Sequence, residues 1–223
     1  MTIGAGAPPA VRTVAAFDFD GTLSNRDTLV PFLMRVRGRR PVLGALAARG
    51  PRLARGAFDD HARRQAKESL LIATVGGLRV EELEPFARQY AEHLLATQLR
   101  PDRVARLRWH QEQGHDTVIV SASPELYLEP LGALLGCTAV IATKLEVDRE
   151  GQLTGRIFQS NVRGPVKVEL LSAWLAATAG DPAETQRIYA YGDSDGDAEM
   201  LAMSDVPTRL RSREKLTAAP EPR

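Results

Sequence analysis

Residues 14–24 read VAAFDFDGTLS. A short apolar run ends in two aspartates, Asp18 and Asp20, separated by one residue. Residues 14–19 have the length and character of a buried strand, and Gly21 stops it. Carboxylates at that spacing repel each other and add nothing to a core. They form either an acidic turn or a site that holds a cation and does chemistry.

Beyond this stretch the pattern changes. From about 27 to 95 it is helical, with Leu29, Phe32, Leu33 and Val36 on one face and breaks at RGRRP and ARGPRLARG. A helix over about 101–113 ends at Gly114. DTVIVSASPELYLEPLGALLG reads as strand, turn and helix, with Pro124 as a first helical residue. A strand and a hairpin around Glu150-Gly151 follow. Then come a helix from Pro165 to Gly180, a strand–acidic loop–helix through RIYAYGDSDGDAEMLAMS, and a last strand in DVPTRL. Strands alternating with helices predict an α/β fold, a Rossmann-like parallel sheet with helices on both faces. The long helical segment after the first strand interrupts that rhythm and reads as an inserted α-helical cap. The expected division is a core of 12–25 and 98–212, a cap of 26–97, and flexible termini at 1–11 and 213–223, where LTAAPEPR reads as a loose tail.

The totals narrow the function. With 43% hydrophobic and 26% charged residues, 223 residues can bury a sizeable core. A net charge of +1 argues against a dedicated nucleic-acid surface. A single cysteine, Cys137, cannot form an internal disulfide and reads as a small core residue. The start, MTIGAGAPPA, lacks a signal-peptide pattern, and no apolar run approaches the ~20 residues of a membrane span. A soluble, cytoplasmic protein is expected.

Ligands of open α/β sheets gather beyond the carboxyl ends of the strands. Four polar groups fall there or at the next helix start: Asp18/Asp20/Thr22, Ser121/Ser123, Lys167 and Asp193/Asp197. Lys167 is either a solvated lysine or faces an anion that also touches Ser121. Free N–H groups at the SAS turn suit phosphate, and Ser123 reads as an N-cap. Four aspartates at one sheet edge call for a hard divalent cation, and Mg2+ suits such a set. DSDGDAEM fails as a calcium loop, having Ala198 and Ser204 where Gly and Glu are required.

DFDGTL, SAS, Lys167 and GDSDGD, in that order, resemble the four motifs of the haloacid-dehalogenase-like (HAD) phosphohydrolases across nearly the whole chain. The helical insert and KVELL resemble the phosphoserine-phosphatase-like subgroup. The resemblance implies Asp18 as nucleophile, forming an aspartyl-phosphate, and Asp20 as general acid and then base. It implies Mg2+ ligated by Asp18, the Asp20 carbonyl and Asp193, with Asp197 ordering its waters or Lys167. It also implies phosphate binding by Thr22, Ser121, Ala122 and Lys167, with Thr22 orienting the loop as well. A small phosphorylated substrate follows.

Asp27 lies where phosphoserine phosphatases carry a Glu for the substrate amino group; otherwise Asp27 or Thr28 caps the first cap helix. The segment Thr28–Phe58 has no acid and seven arginines, from Arg35 through Arg37, Arg39, Arg40, Arg49 and Arg52 to Arg55. It is either a solvated face or a surface for anionic lipid or a multiply charged substrate. It also loosely resembles the cap region of phosphatidylglycerophosphatases. The alternatives to a metabolite phosphatase are therefore a lipid phosphate phosphatase, a phosphomutase, and a non-enzymatic docking scaffold. The four histidines show no ligand spacing.

Overall fold

The computed structural model describes residues 11–55, 60–180, 185–211 and 214–219. Side chains are described for these except residues 49–55, 60 and 185. The first ten residues and the side chains of Arg49, Arg52 and Arg55 lie outside the description.

Five strands form one parallel sheet: β1 (Val11–Phe17), β2 (Asp116–Pro124), β3 (Ala139–Thr143), β6 (Thr185–Gly192) and β7 (Val206–Arg209). Their order is β3-β2-β1-β6-β7. The chain builds outward from β1 to β2 and β3, then crosses to β6 on the other side. That reversal leaves a crevice beyond the carboxyl end of β1, where the two halves of the sheet part. The apolar run of the opening stretch is thus the central strand, buried on both faces as its lack of polar alternation requires.

Alternate β1 residues feed two cores. Ala15 and Phe17 pack with α5 (Pro101–Glu112) and α6 (Glu125–Leu135) through Leu107, Tyr127, Leu128 and Leu131. Val14 and Ala16 pack with α7 (Pro165–Ala177) and α8 (Ala198–Met203) through Leu171, Leu175, Met200 and Leu201. The predicted parallel sheet with helices on both faces is the fold.

The segment after β1 forms four helices: α1 (Leu29–Arg37), α2 (Arg39–Arg55), α3 (Asp60–Thr74) and α4 (Val80–Thr97). Their apolar stripes meet α6, so Phe32, Leu71, Tyr90 and Leu94 join Tyr127 and Leu131 in one continuous core. The hairpin of β4 (Leu145–Val147) and β5 (Leu153–Ile157) braces this cap. Leu153 N–H donates to Leu78 O at 2.9 Å, and Gly77 N–H donates to Leu153 O at 2.8 Å. Ile157 N–H donates to the Glu68 carboxylate at 3.0 Å.

The end of the chain departs from the expected loose tail. Over residues 214–219 it is strapped to α5 by two buried arginines. Arg103 donates to Glu214 O, while Arg106 donates to Ala218 O at 2.8 Å and to Ala219 O at 2.9 Å. Backbone carbonyls that would otherwise need water are satisfied by these guanidinium forks, which composition alone does not reveal. Cys137 is half-buried against the core, and burial pushes its thiol up to about 11.

Candidate active site

The turn Phe19–Leu23 that follows β1 points its polar groups into the crevice. Gly21 has φ of +84°, open to glycine without strain, and a Cβ there would lie 2.2 Å from Asp193 Oδ2. A side chain at residue 21 would therefore push the Asp193 carboxylate out of its place in the acid cluster.

Lys167 lies in the opening turn of α7, where the helix dipole disfavours a cation, and it is buried. It is not the solvated lysine that its position allowed. Its Nζ donates to Asp18 Oδ1 at 2.7 Å, Asp197 Oδ1 at 2.6 Å and Val120 O at 2.7 Å. Burial pulls the ammonium down, but Asp18 and Asp197 outweigh it and hold it above its ordinary range. Asp197 is lowered: burial would raise it, but Lys167 and the Ser194 donors win. Its Oδ2 accepts from Ser194 N–H at 2.9 Å and Ser194 Oγ at 2.8 Å. Of the two tasks expected of Asp197, the one the geometry shows is holding Lys167.

Burial raises Asp18 to about 6 despite Lys167. Burial, then Asp197, also raises Asp193. Carboxylate oxygens of Asp18, Asp193 and Asp197 lie within 4.8 Å of one another. Lys167 alone does not neutralise three clustered acids, and an all-oxygen donor set of this kind fits a hard cation such as Mg2+. With Asp197 committed to Lys167 and Ser194, Asp18 and Asp193 are the side chains left to hold it.

Asp20 has a different environment. Its Oδ1 accepts from Thr28 Oγ1 at 2.7 Å and its Oδ2 from Ser123 Oγ at 2.5 Å. With the carboxylate so engaged, only its main-chain carbonyl remains for a cation. Burial first, then the Asp27 charge, raises Asp20 to about 7, against the pull of the two hydroxyls. A carboxyl raised toward neutral pH suits a group that gives and then takes a proton.

Two expectations change here. Ser123 is not an N-cap: α6 starts at Glu125, with Pro124 just before it, and the hydroxyl goes to Asp20 instead. Thr22 is buried and lies near Asp193 Oδ1 at 3.4 Å, so its hydroxyl steadies that acid rather than facing phosphate. Ser121, Ala122 and Lys167 do line the cavity, which measures about 600 Å³. Ser121 Oγ accepts from Ser123 N–H at 3.1 Å, which fixes the turn. Asp27 also lines the cavity, and its Oδ1 accepts from Leu29 N–H at 3.1 Å in the capping arrangement.

The cap contributes residues that the sequence reading did not single out. Lys67 of α3 reaches the core, donating to Ala122 O at 2.5 Å and Asn161 Oδ1 at 2.9 Å. Burial lowers it to about 8. Tyr127 Oη meets Thr28 Oγ1 at 3.0 Å, behind Asp20. Lys67 lies on the same face as Leu71 and Thr74, at i, i+4 and i+7; a lysine on an apolar stripe is the signal that marks it.

The family model of the haloacid dehalogenase-like hydrolases matches residues 15–202. The chain belongs to that family. Among relatives, this hydrolase is 35% identical over 192 residues to Protein CicA of Caulobacter vibrioides, covering 86% of this chain and 83% of that protein. It is 26% identical over 139 residues to a histidinol-phosphatase of Neisseria meningitidis, covering 62% of this chain and 63% of the other. A solved phosphoserine phosphatase in apo form shares its fold at a TM-score of 0.59 and 17% identity, covering 86% of this chain and 83% of that one. No helix among the described residues is long and apolar enough to cross a membrane.

Proposed function

We propose that this hydrolase is a Mg2+-dependent phosphomonoesterase that works through an aspartyl-phosphate on Asp18. The observation that carries the reading is the division of labour between two carboxylates one residue apart. Asp18 is paired to a buried lysine beside other acids, whereas Asp20 is turned away into two hydroxyls and raised to about 7.

In the first step an Asp18 oxygen attacks phosphorus in line with the ester oxygen, and the P–O bond to the alcohol breaks. Asp20, protonated, gives its proton to the departing oxygen. In the second step Asp20, now a carboxylate, takes a proton from water, which attacks phosphorus and returns Asp18 as a carboxylate. The Ser121–Ala122 turn holds phosphoryl oxygens throughout, and Lys167 joins it once its donor to Asp18 is released as that carboxylate bonds to phosphorus. Asp18, Asp193 and the Asp20 carbonyl would hold the cation, which would supply charge neutralisation between the acid cluster and the anionic ester. The aspartate at 20, with its proton to relay, favours hydrolysis over storage of the phosphoenzyme.

The substrate class this reading supports is a small phosphorylated metabolite. The cavity admits one, and Arg26, Lys67 and Arg163 line it besides Lys167. The phosphatase names among the relatives agree with the reading. The test is Asp18→Asn with an aryl phosphate and Mg2+. Turnover should vanish while the variant still unfolds in one cooperative thermal transition, its midpoint shifted by loss of the buried pair with Lys167. Substantial residual turnover overturns the nucleophile assignment. A screen of phosphorylated amino acids, sugars, nucleotides and lipids then ranks substrates, and isomer formation from a sugar phosphate would instead indicate a mutase.

A further inference from the structure

The arginine-rich segment does not spread evenly over the cap. Gly38, with φ of +85°, ends α1 and lets α2 begin one residue later. Arg35 in the last turn of α1 and Arg39 at the start of α2 therefore border the same concavity, together with Arg26 and His93. This second cavity measures about 370 Å³ and lies on the other side of the Arg26–Asp27 segment from the active site, since both residues line both cavities.

Its charges are poorly balanced. The Arg35 guanidinium lies over the Tyr90 ring, 5.4 Å from its centroid. Arg26 Nε donates to a neutral partner, Gln98 Oε1, at 2.6 Å. The Arg39 side chain has no ion-pair or hydrogen-bond partner among the described residues. The one acid in the lining, Asp27, has Oδ1 turned to the backbone N–H of Leu29 and Val30. The three guanidiniums and Asp27 are exposed, so water and salt screen much of their mutual repulsion. The excess of positive charge around this concavity, with the N-terminal end of α2, still favours an anion. Guanidinium forks match the oxygens of phosphate.

The floor of the cavity is wired to the proton shuttle. Tyr90 Oη donates to Thr28 O at 2.8 Å, and Thr28 Oγ1 donates to Asp20 Oδ1 at 2.7 Å.

We propose that the Arg26–Arg35–Arg39 concavity binds a phosphate-type oxyanion, separately from the catalytic phosphate site, and that its occupancy reaches Asp20 through Tyr90 and Thr28. The binding stands apart from the proposed function; the coupling rests on it. The phosphate group can belong to a free small molecule or to a lipid headgroup. Linkage makes the coupling reciprocal for binding: an anion that alters substrate affinity is itself bound differently when substrate is present.

The experiment uses the full chain and inorganic phosphate. Calorimetric titration of the wild type should resolve a second phosphate that Arg35→Ala/Arg39→Ala binds about tenfold more weakly or not at all. Aryl phosphate turnover without added phosphate should stay equal in the two proteins, because neither arginine lines the catalytic cavity. Inhibition by phosphate should be mixed in the wild type and purely competitive in the double variant. Tyr90→Phe should keep the second phosphate and lose the mixed component; a retained mixed component overturns the relay. Phosphatidylglycerol vesicles, with phosphatidylcholine as control, supply the headgroup arm: retention that the double variant loses assigns the phosphate to lipid. A single phosphate in the wild type with no such retention overturns the site, as does equal binding by the double variant. If no phosphomonoester is turned over, the function reading falls while the titration still decides the site.

Discussion

Ser123 and Asp20 are joined by a 2.5 Å hydrogen bond between the serine hydroxyl and Oδ2, and Thr28 holds the other oxygen at 2.7 Å. Ser123 stands at the end of β2 in the core, and Thr28 immediately precedes the first cap helix. The carboxyl assigned to proton transfer is thus aimed by both parts of the molecule. Both hydroxyls stabilise its charged form, against burial, which favours the neutral one.

Removing either donor should cost proton transfer selectively. Ser123→Ala and Thr28→Val are expected to lower kcat/KM, which ends at departure of the alcohol, about tenfold or more on an alkyl phosphate, whose leaving oxygen needs a proton. An aryl phosphate, whose phenolate leaves without one, should suffer less. Asp20→Asn should exaggerate the contrast, toward the ~100-fold or larger loss of a missing general acid. The ratio of alkyl to aryl kcat/KM is the measurement, since the second step, where Asp20 serves both substrates alike, does not enter it; equal losses on both would remove the positioning role.

Metal dependence has a readout that needs no turnover. Mg2+ held at Asp18 and Asp193, as proposed, would stabilise the folded chain by about 2.7 kcal/mol at a hundredfold excess over its Kd. Thermal melts with and without Mg2+ should show an upward shift of several degrees in the wild type. Asp193→Asn should abolish most of it. A shift that survives this substitution would move the cation elsewhere.

Much of the site was legible because its residue types have few other uses in such places. Two aspartates ending a buried strand, a lysine in the first turn of a helix and an acidic loop after another strand each violate a local preference. Their order along an α/β chain then brings them together beyond the central strand. Ser123 was ambiguous for the opposite reason. A serine between strand and helix normally caps, and only the start of α6 at Glu125 shows its hydroxyl free to reach Asp20. Lys67, Thr28 and Tyr127 depend on how the cap seats on the core, a relation no local pattern encodes. The β4–β5 hairpin was visible, but not that it braces α3.

That brace gives a stability prediction. Gly155 of β5 has φ of +79°, and a Cβ there would lie 2.4 Å from the Ile72 Cα of α3. Backbone cannot yield as a side-chain tip does. Gly155→Ala combines an unfavourable φ with that overlap, each of the order of 1–3 kcal/mol. Urea unfolding should show the midpoint falling accordingly, with cap amides exchanging faster. A midpoint within error of the wild type would mean that the hairpin does not bear on the cap.

The histidine pair behind β6 sets an acid limit on stability. His110 is fully buried, its Nε2 is 2.8 Å from Tyr191 Oη, and its Nδ1 is 2.9 Å from His115 Nδ1. One ring must accept from the other, so the pair cannot hold both in the charged form. Burial first, then His115 and Arg106, lowers His110 to about 3. The unfolded chain takes up this proton near the ordinary value of 6.5, whereas the folded chain does not until about 3. The unfolded state therefore binds more protons in that window, and stability falls as pH drops from 6.5 toward 3, with no contribution above 6.5. The slope from one such group is at most about 1.4 kcal/mol per pH unit. His110→Gln should flatten the decline of the urea midpoint between about pH 6.5 and 4.5, before most carboxylates titrate. Some slope should persist, because burial lowers His115 as well. An undiminished slope in the variant would show that His110 takes up its proton without unfolding the chain.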